Sequence, residues 1–384
     1  MEMKTLRFGI IGCGMMGREF AGAVARWCHL TDMNIHPEIV AICNRSLTPP
    51  RIDWFKGNFD SIKQVTSDYK ELLANEDVDA VYIAVPHNVH AEIYCAALDA
   101  GKHLLGEKPF GIDLSANEEI LKSIKANPNC YIGCASQYIY YPAVQRIFKM
   151  IEAGDFGQII ELESAFLHCS DLDPNKPVNW KRTIEVNGEY GVMGDLGPHV
   201  AMVPFRAGWI VENVSAICSN IIGQRPDSTG ETVPCKTWDN VTMLAEVKDP
   251  RDNAVFPWSL RLARIMPGEM NTWSLKICGT KASAKFSLKN PRLLQRLQYT
   301  GGEQAWENID MGYDVPYKTN AGKIFEFGES DAFLQMVAAF MYEVSNEKIL
   351  SNTAKCPTAE EMHGCHKLFT AALKSNKISD TVKL

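Results

Sequence analysis

The feature that most constrains this chain is a glycine-rich segment close to its N-terminus. A short apolar run precedes Gly12-x-Gly14-x-x-Gly17, and residues that favour a helix follow. This order predicts a strand, a tight turn and a helix, with a sharp turn at Gly12 and close helix packing at Gly17. Gly14 leaves room for a pyrophosphate, and the N–H groups that begin the helix face it. The segment predicts a dinucleotide site, to which Met15 and Met16 also belong.

The end of the second predicted strand bears on which dinucleotide binds. Its apolar residues end at Asn44-Arg45-Ser46, where a Rossmann domain meets the adenosine ribose. A carboxylate there favours NAD, whereas an arginine can pair with the 2′-phosphate of NADP. The segment has no acid, so we expect Asn44 and Arg45 to bind NADP or NAD, with a slight preference for NADP. The alternative for Arg45 is a solvated loop cation.

Two further strands end in polar residues at the edge where open α/β sheets bind ligands. One stops at Pro86, and the other leads into Glu107-Lys108-Pro109. Lys108 is constrained by the following proline, and a cation there could polarise a carbonyl or stabilise an alkoxide. A surface lysine is the alternative. The residues expected to contact the cofactor from these strand ends and from the start of the next segment are Pro86, His87, Asn88, His90, Glu107, Lys108 and Gln137.

A second candidate for chemistry is Gly194-Asp195-Leu196-Gly197-Pro198-His199. Pro198 fits the first position of a helix, so Asp195 is expected in the entering loop and His199 in the first turn. Four residues apart, the two side chains can face the same side. A carboxylate that orients an imidazole makes a general base near neutral pH. A capping Asp with a locally bonded His is the alternative, but together with Lys108 we favour catalysis.

The order of elements predicts an α/β fold in two parts. Residues 1–136 alternate strands and helices, which is typical of a doubly wound parallel Rossmann sheet. Over 137–384 strands follow one another without helices between them, which predicts an α+β domain with a large, mainly antiparallel open sheet. We expect a helix from Pro142 to Ala153. We interpret Thr48-Pro-Pro-Arg51 and residues 53–60 as an irregular loop, and residues 223–238 and 290–328 as long connections.

The composition of the chain limits which classes of partner it can be expected to bind. A chain of 384 residues is long enough for two domains, and its formal net charge of -7 without a basic run argues against nucleic-acid or membrane partners. Twelve cysteines behind an N-terminus without a signal-peptide pattern predict reduced thiols and a cytoplasmic location. Cys356, His363, Cys365 and His366 form the densest metal-like group, but we expect them to be scattered around a helix and expect no metal.

Taken together, the motifs resemble the family named after glucose–fructose oxidoreductase, inositol dehydrogenase and the rhizopine protein MocA. The resemblance covers nearly the whole chain. It rests on Gly12-x-Gly14-x-x-Gly17, Val85-Pro86-x-x-x-His90, Glu107-Lys108-Pro109, Pro142, Gly154-x-x-Gly157, Trp180-Lys181 and Asp195-x-Gly197-x-His199. It implies a Rossmann domain, an α+β domain whose open sheet often mediates oligomers, and hydride transfer at C–OH or C=O of a sugar or an inositol-like cyclitol. It assigns the catalytic lysine to Lys108 and the catalytic Asp and His to Asp195 and His199.

The expected substrate contacts come from the polar loop of the second domain and its preceding strand. Trp180 could offer a flat face to a sugar ring, although a core aromatic is the alternative. The sequence departs from the family where an Asp is common three residues after His199, since Met202 stands there. This change would reshape the pocket wall. The residues expected to contact substrate are His168, Trp180, Lys181 and Arg182.

Three other functions stay open from the sequence. A glycosidase that uses tightly held NAD would show net hydrolysis without change in the bulk cofactor. A non-catalytic NAD(P)-binding sensor would be favoured by the loss of Lys108 or His199, yet both are present. Reduction of a keto-sugar or a bilin-like carbonyl is the third, because sequence does not fix direction. We expect a small sugar or polyol as the partner, and a homodimer or homotetramer to cover the open sheet.

Overall fold

The computed structural model describes residues 4–384. The N-terminal segment from which we predicted no signal peptide begins with Met1–Met3, and these three residues lie outside the described residues. The strands are β1 Lys4–Ile11, β2 Ile35–Cys43, β3 Gln64–Thr66, β4 Ala80–Ile83, β5 His103–Glu107, β6 Ile132–Ala135, β7 Ile159–Leu167, β8 Ile210–Ser219, β9 Gln224–Pro226, β10 Thr232–Pro234, β11 Asn240–Lys248, β12 Val255–Ala263, β13 Thr272–Gly279, β14 Ala282–Ser287, β15 Leu293–Gln298, β16 Glu307–Asp310 and β17 Val382–Lys383.

The α-helices alternate with the first strands and then cluster in the middle and at the end of the chain. They are α1 Met15–Ala25, α2 Pro49–Asn58, α3 Tyr69–Leu73, α4 His90–Asp99, α5 Leu114–Ala126, α6 Pro142–Ala153, α7 Ile184–Asn187, α8 Val192–Leu196, α9 Pro198–Ala201, α10 Val203–Arg206, α11 Glu329–Asn346 and α12 Ala359–Ile378. Short 3-10 turns are Trp27–His29, His87–Val89, Gln137–Tyr140 and Trp180–Arg182.

The first compact unit contains a six-stranded sheet in the order β3-β2-β1-β4-β5-β6, and every pair in it is parallel. The order reverses direction between β1 and β4, which is the doubly wound arrangement. The central strands are buried on both sides, so they are almost continuously apolar. The predicted Rossmann sheet is confirmed, and ligands of such sheets bind at the carboxyl ends of the strands beside the reversal.

The boundary of this unit differs from the predicted division after residue 136. The unit comprises the chain up to Gly111, Ser115–Tyr141 and Tyr313–Ala359. Helix α11 joins it because its aromatic residues pack on the parallel sheet. The Phe340 ring lies 6.2 Å from that of Phe8, and the Phe333 ring lies 6.3 Å from that of Tyr82. The chain therefore returns to the first unit near its end.

The second unit comprises Ile112–Leu114, Pro142–Gly312 and Glu360–Leu384. Its nine-stranded sheet runs β16-β15-β14-β13-β7-β12-β11-β8-β17. Strands β7 and β12 are parallel, and the other pairs are antiparallel. Buried and exposed residues alternate along β11, so one face is packed and the other is open. The predicted large, mainly antiparallel open sheet is confirmed.

Two segments predicted as irregular contain regular elements. The predicted loop at 53–60 lies largely in α2, whose prolines occupy the first turn and whose Ile52 and Phe55 are buried. Proline is compatible with that position because its missing N–H needs no helical partner there. The connection 290–328 includes β15 and β16 at the sheet edge, and 223–238 forms the hairpin of β9 and β10.

Within residues 4–384, no helix is long and apolar enough to cross a membrane. All twelve cysteines are free thiols. The same residues contain no group of three or more His, Cys, Asp or Glu side chains that could hold a metal ion. Cys356 belongs to the first unit, whereas His363, Cys365 and His366 belong to the second.

Candidate functional site

The glycine turn after β1 has the geometry that its sequence predicts. Gly12 has a φ of 105°, and a Cβ there would lie 2.1 Å from the Ala84 carbonyl oxygen. A Cβ on Gly17 would lie 2.2 Å from the Gly12 carbonyl oxygen. Gly14 differs, because a Cβ there would meet nothing within 4 Å. The first and third glycines are therefore needed by the fold, while the second leaves open space in front of the turn.

The N-terminus of α1 faces this open space without competition from the protein. Its first residue, Met15, is exposed, no side chain caps the helix, and its first turn has no acidic residue among those described. Free N–H groups at a helix N-terminus bind anions. Together with the room beside Gly14, this end of the sheet fits the pyrophosphate of a dinucleotide.

At the end of β2, the Asn44 side chain supports the turn. The Cys13 N–H donates to Asn44 Oδ1 at 3.1 Å, and Asn44 Nδ2 donates to the Ser46 carbonyl at 2.7 Å. Arg45 is exposed. Burial raises the pKa of the Cys13 thiol to about 12, against the opposing charges of Arg51 and Arg18.

Arg18 and Arg51, for which the sequence predicted no role, bring two positive charges close to this turn. The Arg18 guanidinium lies 5.3 Å from the centre of the Trp54 ring. Arg51 lies in α2, where the Pro-Pro sequence had suggested an irregular segment. A prediction of helix α2 from the sequence would have placed Arg51 on a regular element and marked it as a candidate.

The ends of β4 and β5 are joined by a buried hydrogen-bonded cluster. Tyr82 donates to Glu107 Oε1 at 2.5 Å, and Tyr94 donates to the Glu107 carbonyl at 2.7 Å. The His90 ring stacks on Tyr94 at 4.8 Å, and its Nε2 lies 3.0 Å from the Val85 carbonyl. Burial and the Glu107 charge raise the pKa of Tyr82 well above its usual range. Glu107 and His90 therefore brace the strand ends.

The neighbouring predicted contacts differ in accessibility. Pro86 and Asn88 are exposed, whereas His87 is buried. Lys108 is half-buried and follows the buried Glu107. The segment after Lys108 is fixed as well, because Asn117 Nδ2 donates to the Phe110 carbonyl at 2.9 Å and Phe110 is fully buried. Lys108 thus extends from a braced strand end.

The buried Gln137 side chain joins a polar cluster with a residue far along the chain. Its Nε2 donates to Glu329 Oε1 at 2.5 Å, and Tyr141 donates to Glu329 Oε2 at 3.4 Å. Desolvation by the groups around it raises the pKa of the Glu329 carboxyl. Glu329 had no predicted role, because no local pattern links it to a residue 192 positions away.

In the second unit, Asp195 lies inside helix α8, where the sequence had suggested a loop. Gly197 has a helical conformation and joins α8 to α9, which begins at Pro198 as predicted. The Gly197 N–H donates to the Met193 carbonyl at 2.9 Å, and the Ala201 N–H donates to the Gly197 carbonyl at 2.7 Å. This helical backbone puts Asp195 and His199 on one face, with Cβ atoms about 6 Å apart.

The carboxylate of Asp195 faces two cations. Its Oδ2 lies 3.1 Å from Lys181 Nζ and 2.7 Å from Arg264 Nη2. Arg264 is buried, whereas the Lys181 side chain is 38% exposed. Arg264 was not predicted. One feature of the sequence could have identified Arg264: it is a charged residue directly after strand β12, and other polar residues follow neighbouring strands at the same end of the sheet.

The His199 ring lies against aromatic residues on the packed face of the large sheet. The Phe166 ring meets it edge-on at 5.7 Å, and Trp273 Nε1 donates to the His199 carbonyl at 2.9 Å. His168 contacts the same Phe166 at 4.8 Å. His199 is buried in these surroundings, which limits how far its ring can turn.

The predicted substrate contacts separate into accessible and buried residues. Trp180 is exposed and Lys181 and His168 are half-buried. Arg182 is fully buried, where it lies 3.4 Å from Asp239. Direct contact between Arg182 and a substrate is therefore incorrect for this conformation, since the side chain holds the polar loop from inside. Lys108 and the other predicted cofactor contacts belong to the first unit, and these residues belong to the second.

Comparisons with known proteins agree with this architecture. Residues 6–133 match the family model GFO_IDH_MocA, described as an oxidoreductase family with an NAD-binding Rossmann fold. Levoglucosan dehydrogenase of Pseudarthrobacter phenanthrenivorans is 30% identical over 236 residues, which cover 59% of this chain and 57% of that protein. Glycosyl hydrolase family 109 protein 1 of Bacteroides thetaiotaomicron is 30% identical over 191 residues, 47% of this chain and 38% of that protein. The chain spans about half the length of the curated relatives it matches.

Solved structures match over almost the whole chain. Levoglucosan dehydrogenase in complex with NADH superposes with a TM-score of 0.86 at 23% identity, covering 99% of each chain. An oxidoreductase domain protein from Kribbella flavida gives a TM-score of 0.88 at 21% identity, also covering 99% of each chain. These similarities show that the two-part fold is shared.

Proposed function

We propose that this chain, whose residues 6–133 match the model of an oxidoreductase family with an NAD-binding Rossmann fold, is an NAD(P)-dependent sugar or cyclitol dehydrogenase. The observation that carries the proposal is the buried Asp195–His199 pair on one helical face, in a chain that also has an open dinucleotide turn and Lys108. A secondary alcohol would be oxidised, or the ketone reduced, without a metal ion.

The proposed roles follow from the chemistry of each side chain. His199 takes the hydroxyl proton of the substrate, since a neutral imidazole is a competent base near neutral pH. Asp195 orients the His199 ring, and its carboxylate stabilises the positive charge that the ring gains with the proton. Lys108 contacts the substrate oxygen and offsets the negative charge that develops there. When bound, NAD(P) supplies the hydride acceptor or donor.

The cofactor is held by the turn and the strand ends of the first unit. We assign the pyrophosphate to Gly12–Gly17 and the ribose to the end of β2, where Asn44 and Arg45 lie. NAD is supported by the family description and by the NADH complex of the similar dehydrogenase structure. The absence of an acid at Asn44-Arg45-Ser46, with Arg18 and Arg51 nearby, supports acceptance of NADP as well. Replacing Arg45 and Arg51 by serine should raise the Kd for NADP about tenfold and leave that for NAD nearly unchanged.

For the substrate, we propose a small sugar, with anhydrosugars tested first and inositols second. The relative named levoglucosan dehydrogenase supports a sugar. Trp180, Lys181 and His168 are the accessible side chains that could contact its ring and hydroxyls. Arg182 then acts indirectly, by fixing the loop that holds Trp180 and Lys181.

One absorbance assay tests the proposal. Purified protein is mixed with NAD or NADP and a panel of anhydrosugars, aldoses, inositols and glycosides. We expect reduction of the nicotinamide with at least one sugar or cyclitol, and its loss in His199→Asn. Binding of the cofactor without reduction by any member of the panel would support the non-catalytic sensor instead.

A redox-assisted glycosidase is the second candidate. The specific observation in its favour is the similarity to a glycosyl hydrolase family 109 protein. The same panel separates the two, because the glycosidase would release free sugar from a glycoside with no net change in the nicotinamide.

The protein's assembly and location complete the proposal. We propose a homodimer or homotetramer formed through the open face of the nine-stranded sheet, where Ile217 and Leu244 are exposed. A cytoplasmic location stays a prediction from the sequence.

A further inference from the structure

We propose that Arg264 is a positioning residue for this reaction, acting on His199 through the carboxylate of Asp195. The inference rests on the proposed roles of Asp195 and His199. It adds a residue that touches neither substrate nor cofactor, but that sets the charge seen by the catalytic base.

Arg264 is fixed by hydrogen bonds of its backbone and by ionic contacts of its guanidinium group. Its N–H donates to the Asp239 carbonyl at 2.9 Å, and its own carbonyl accepts from the Asp171 N–H at 3.0 Å. Nη2 lies 2.7 Å from Asp195 Oδ2, and Nη1 lies 3.9 Å from Asp171 Oδ2. Arg264 is only 3% exposed. The guanidinium is therefore a permanent neighbour of Asp195.

The other charged groups around Asp195 come from three elements. From the 3-10 turn, Lys181 contacts Asp195, and the neighbouring Arg182 pairs with Asp239. From the polar loop, Asp171 is paired with Lys176 at 2.8 Å. From the end of β7, His168 approaches through Phe166, which also contacts His199. Asp171 and Asp239 thus each have another cation nearer than Arg264 or in contact with them, and Arg264 is the buried cation closest to Asp195 among these groups.

The two cations that contact Asp195 differ in how freely their side chains can move. Lys181 is partly exposed, so its ammonium can leave Asp195 to contact a substrate hydroxyl. Arg264 is buried and always charged, so it remains when Lys181 moves. The buried guanidinium therefore offsets part of the negative charge that Asp195 directs at His199.

The consequence for His199 follows from electrostatics. An uncompensated carboxylate on the same helical face, with its Cβ about 6 Å from that of His199, favours imidazolium and would shift the base toward its protonated form at neutral pH. A buried counter-charge on that carboxylate offsets the effect, and a unit charge at such distances changes a histidine pKa by about one unit. Loss of Arg264 should therefore raise the pKa of His199.

The test measures the titration of His199 directly, in the full-length protein. Histidine labelled with ¹³C in the ring is followed by NMR against pH, and His199→Asn assigns the resonance. In Arg264→Met we expect the pKa of His199 to rise by about one unit, and in Arg264→Lys we expect most of the wild-type value to be recovered. In each variant, the acidic limb of the pH profile of kcat/KM should move by the same amount as the pKa of His199 does in that variant.

A matched control separates this effect from the loss of any buried arginine. Arg206 is also buried and contacts Glu361 through two hydrogen bonds of 2.9 Å, so Arg206→Met should lower stability without moving the His199 titration. Arg264→Gln gives a second neutral replacement if Arg264→Met does not fold. An unchanged His199 pKa in a folded neutral variant would overturn the proposal. Because the titration needs no substrate, an inactive wild-type enzyme would count only against the proposed function.

Discussion

At the scale of single residues, Lys108 has the most direct predicted effect on turnover. Its removal leaves the developing charge on the substrate oxygen without a cation, so Lys108→Ala should lower kcat by about 10² to 10³-fold. Steady-state kinetics with the best substrate of the panel measures this loss.

The opposite end of the same strand offers a control. Lys102 precedes β5 and donates to the Asn75 and Val78 carbonyls, so Lys102→Ala removes a lysine with a local structural role. It should keep kcat within about twofold, even if unfolding becomes easier. Unchanged turnover in Lys108→Ala would remove that residue from the mechanism.

Residue roles could be predicted only where the pattern is local. The roles of Gly12 and Gly17 in the turn, and the helical position of Pro198, follow from neighbours in the sequence. Arg264 and Glu329 could not be found in this way. Their partners lie 69 and 192 positions away, since Arg264 contacts Asp195 and Glu329 contacts Gln137.

At the scale of elements, helix α1 allows cofactor binding to be separated from folding. A Cβ at Gly14 meets no protein atom within 4 Å, and its backbone φ of -79° suits alanine. Gly14→Ala should therefore fold normally but place a methyl group where the pyrophosphate binds, weakening NAD(P) binding by about 10 to 100-fold. Fluorescence titration with NADH and NADPH, with thermal unfolding of the same samples, makes the measurement.

Gly22 lies in the same helix and is the matched control. A Cβ there also meets nothing within 4 Å, but the position is remote from the turn in sequence. Gly22→Ala should leave cofactor affinity unchanged and stabilise the fold by roughly 0.5–1 kcal/mol through helix propensity. Equal affinities in Gly14→Ala and Gly22→Ala would contradict the assignment of the pyrophosphate to this turn.

The polar loop before the Trp180 turn gives a prediction about pH. Burial alone would raise the pKa of Asp171, but its hydrogen bond from Lys176 and the charges of Arg264 and Arg182 outweigh burial and lower it. A carboxyl with a lowered pKa in the folded state adds stability above its unfolded value of about 3.9, and this is lost as pH falls through the folded value. Asp171→Asn should therefore be less stable at neutral pH and lose less stability on acidification.

Urea unfolding from about pH 7 to about pH 2 measures this difference. Asp173→Asn replaces a nearby exposed carboxylate and should follow the wild-type curve. Parallel pH curves for wild type and Asp171→Asn would show that Asp171 is not coupled to folding as described.

Elements were predictable where apolar periodicity was strong. Helix α6, from Pro142 to Ala153, has the predicted bounds, and its buried residues recur at helical spacing. Helix α2 was not predicted, because two consecutive prolines are typical of a loop and only Ile52 and Phe55 anchor it. Strands β15 and β16 were not predicted, because edge strands bury few side chains and their alternation is weak.

At the scale of the whole molecule, the open face of the large sheet predicts self-association. Ile217 is 71% exposed and Leu244 58% exposed, and the pairing of Ile217 with Thr242 puts both side chains on the same face. Leu244→Glu should reduce the assembly to a species near the chain mass of 42.9 kDa, as measured by sedimentation equilibrium. Leu350→Glu, at a comparably exposed apolar residue in the first unit, should keep the wild-type mass. A monomeric wild-type protein would contradict the predicted assembly.

The division of the chain into two compact units could not be predicted from the order of its elements. The two sheets follow from strand order, and the parallel one from helices between its strands. The return of α11 to the first unit depends on Phe333 and Phe340 meeting Tyr82 and Phe8, contacts between residues that are more than 200 positions apart.

The central claim is direct transfer of a hydride between a sugar carbon and the nicotinamide. It is tested most directly with a substrate from the panel that carries deuterium on the reacting carbon. We predict that mass spectrometry of the reduced NAD(P) will show one deuterium for each molecule of ketone formed. Product formation with unlabelled cofactor, or with release of sugar and no net reduction, would contradict the claim.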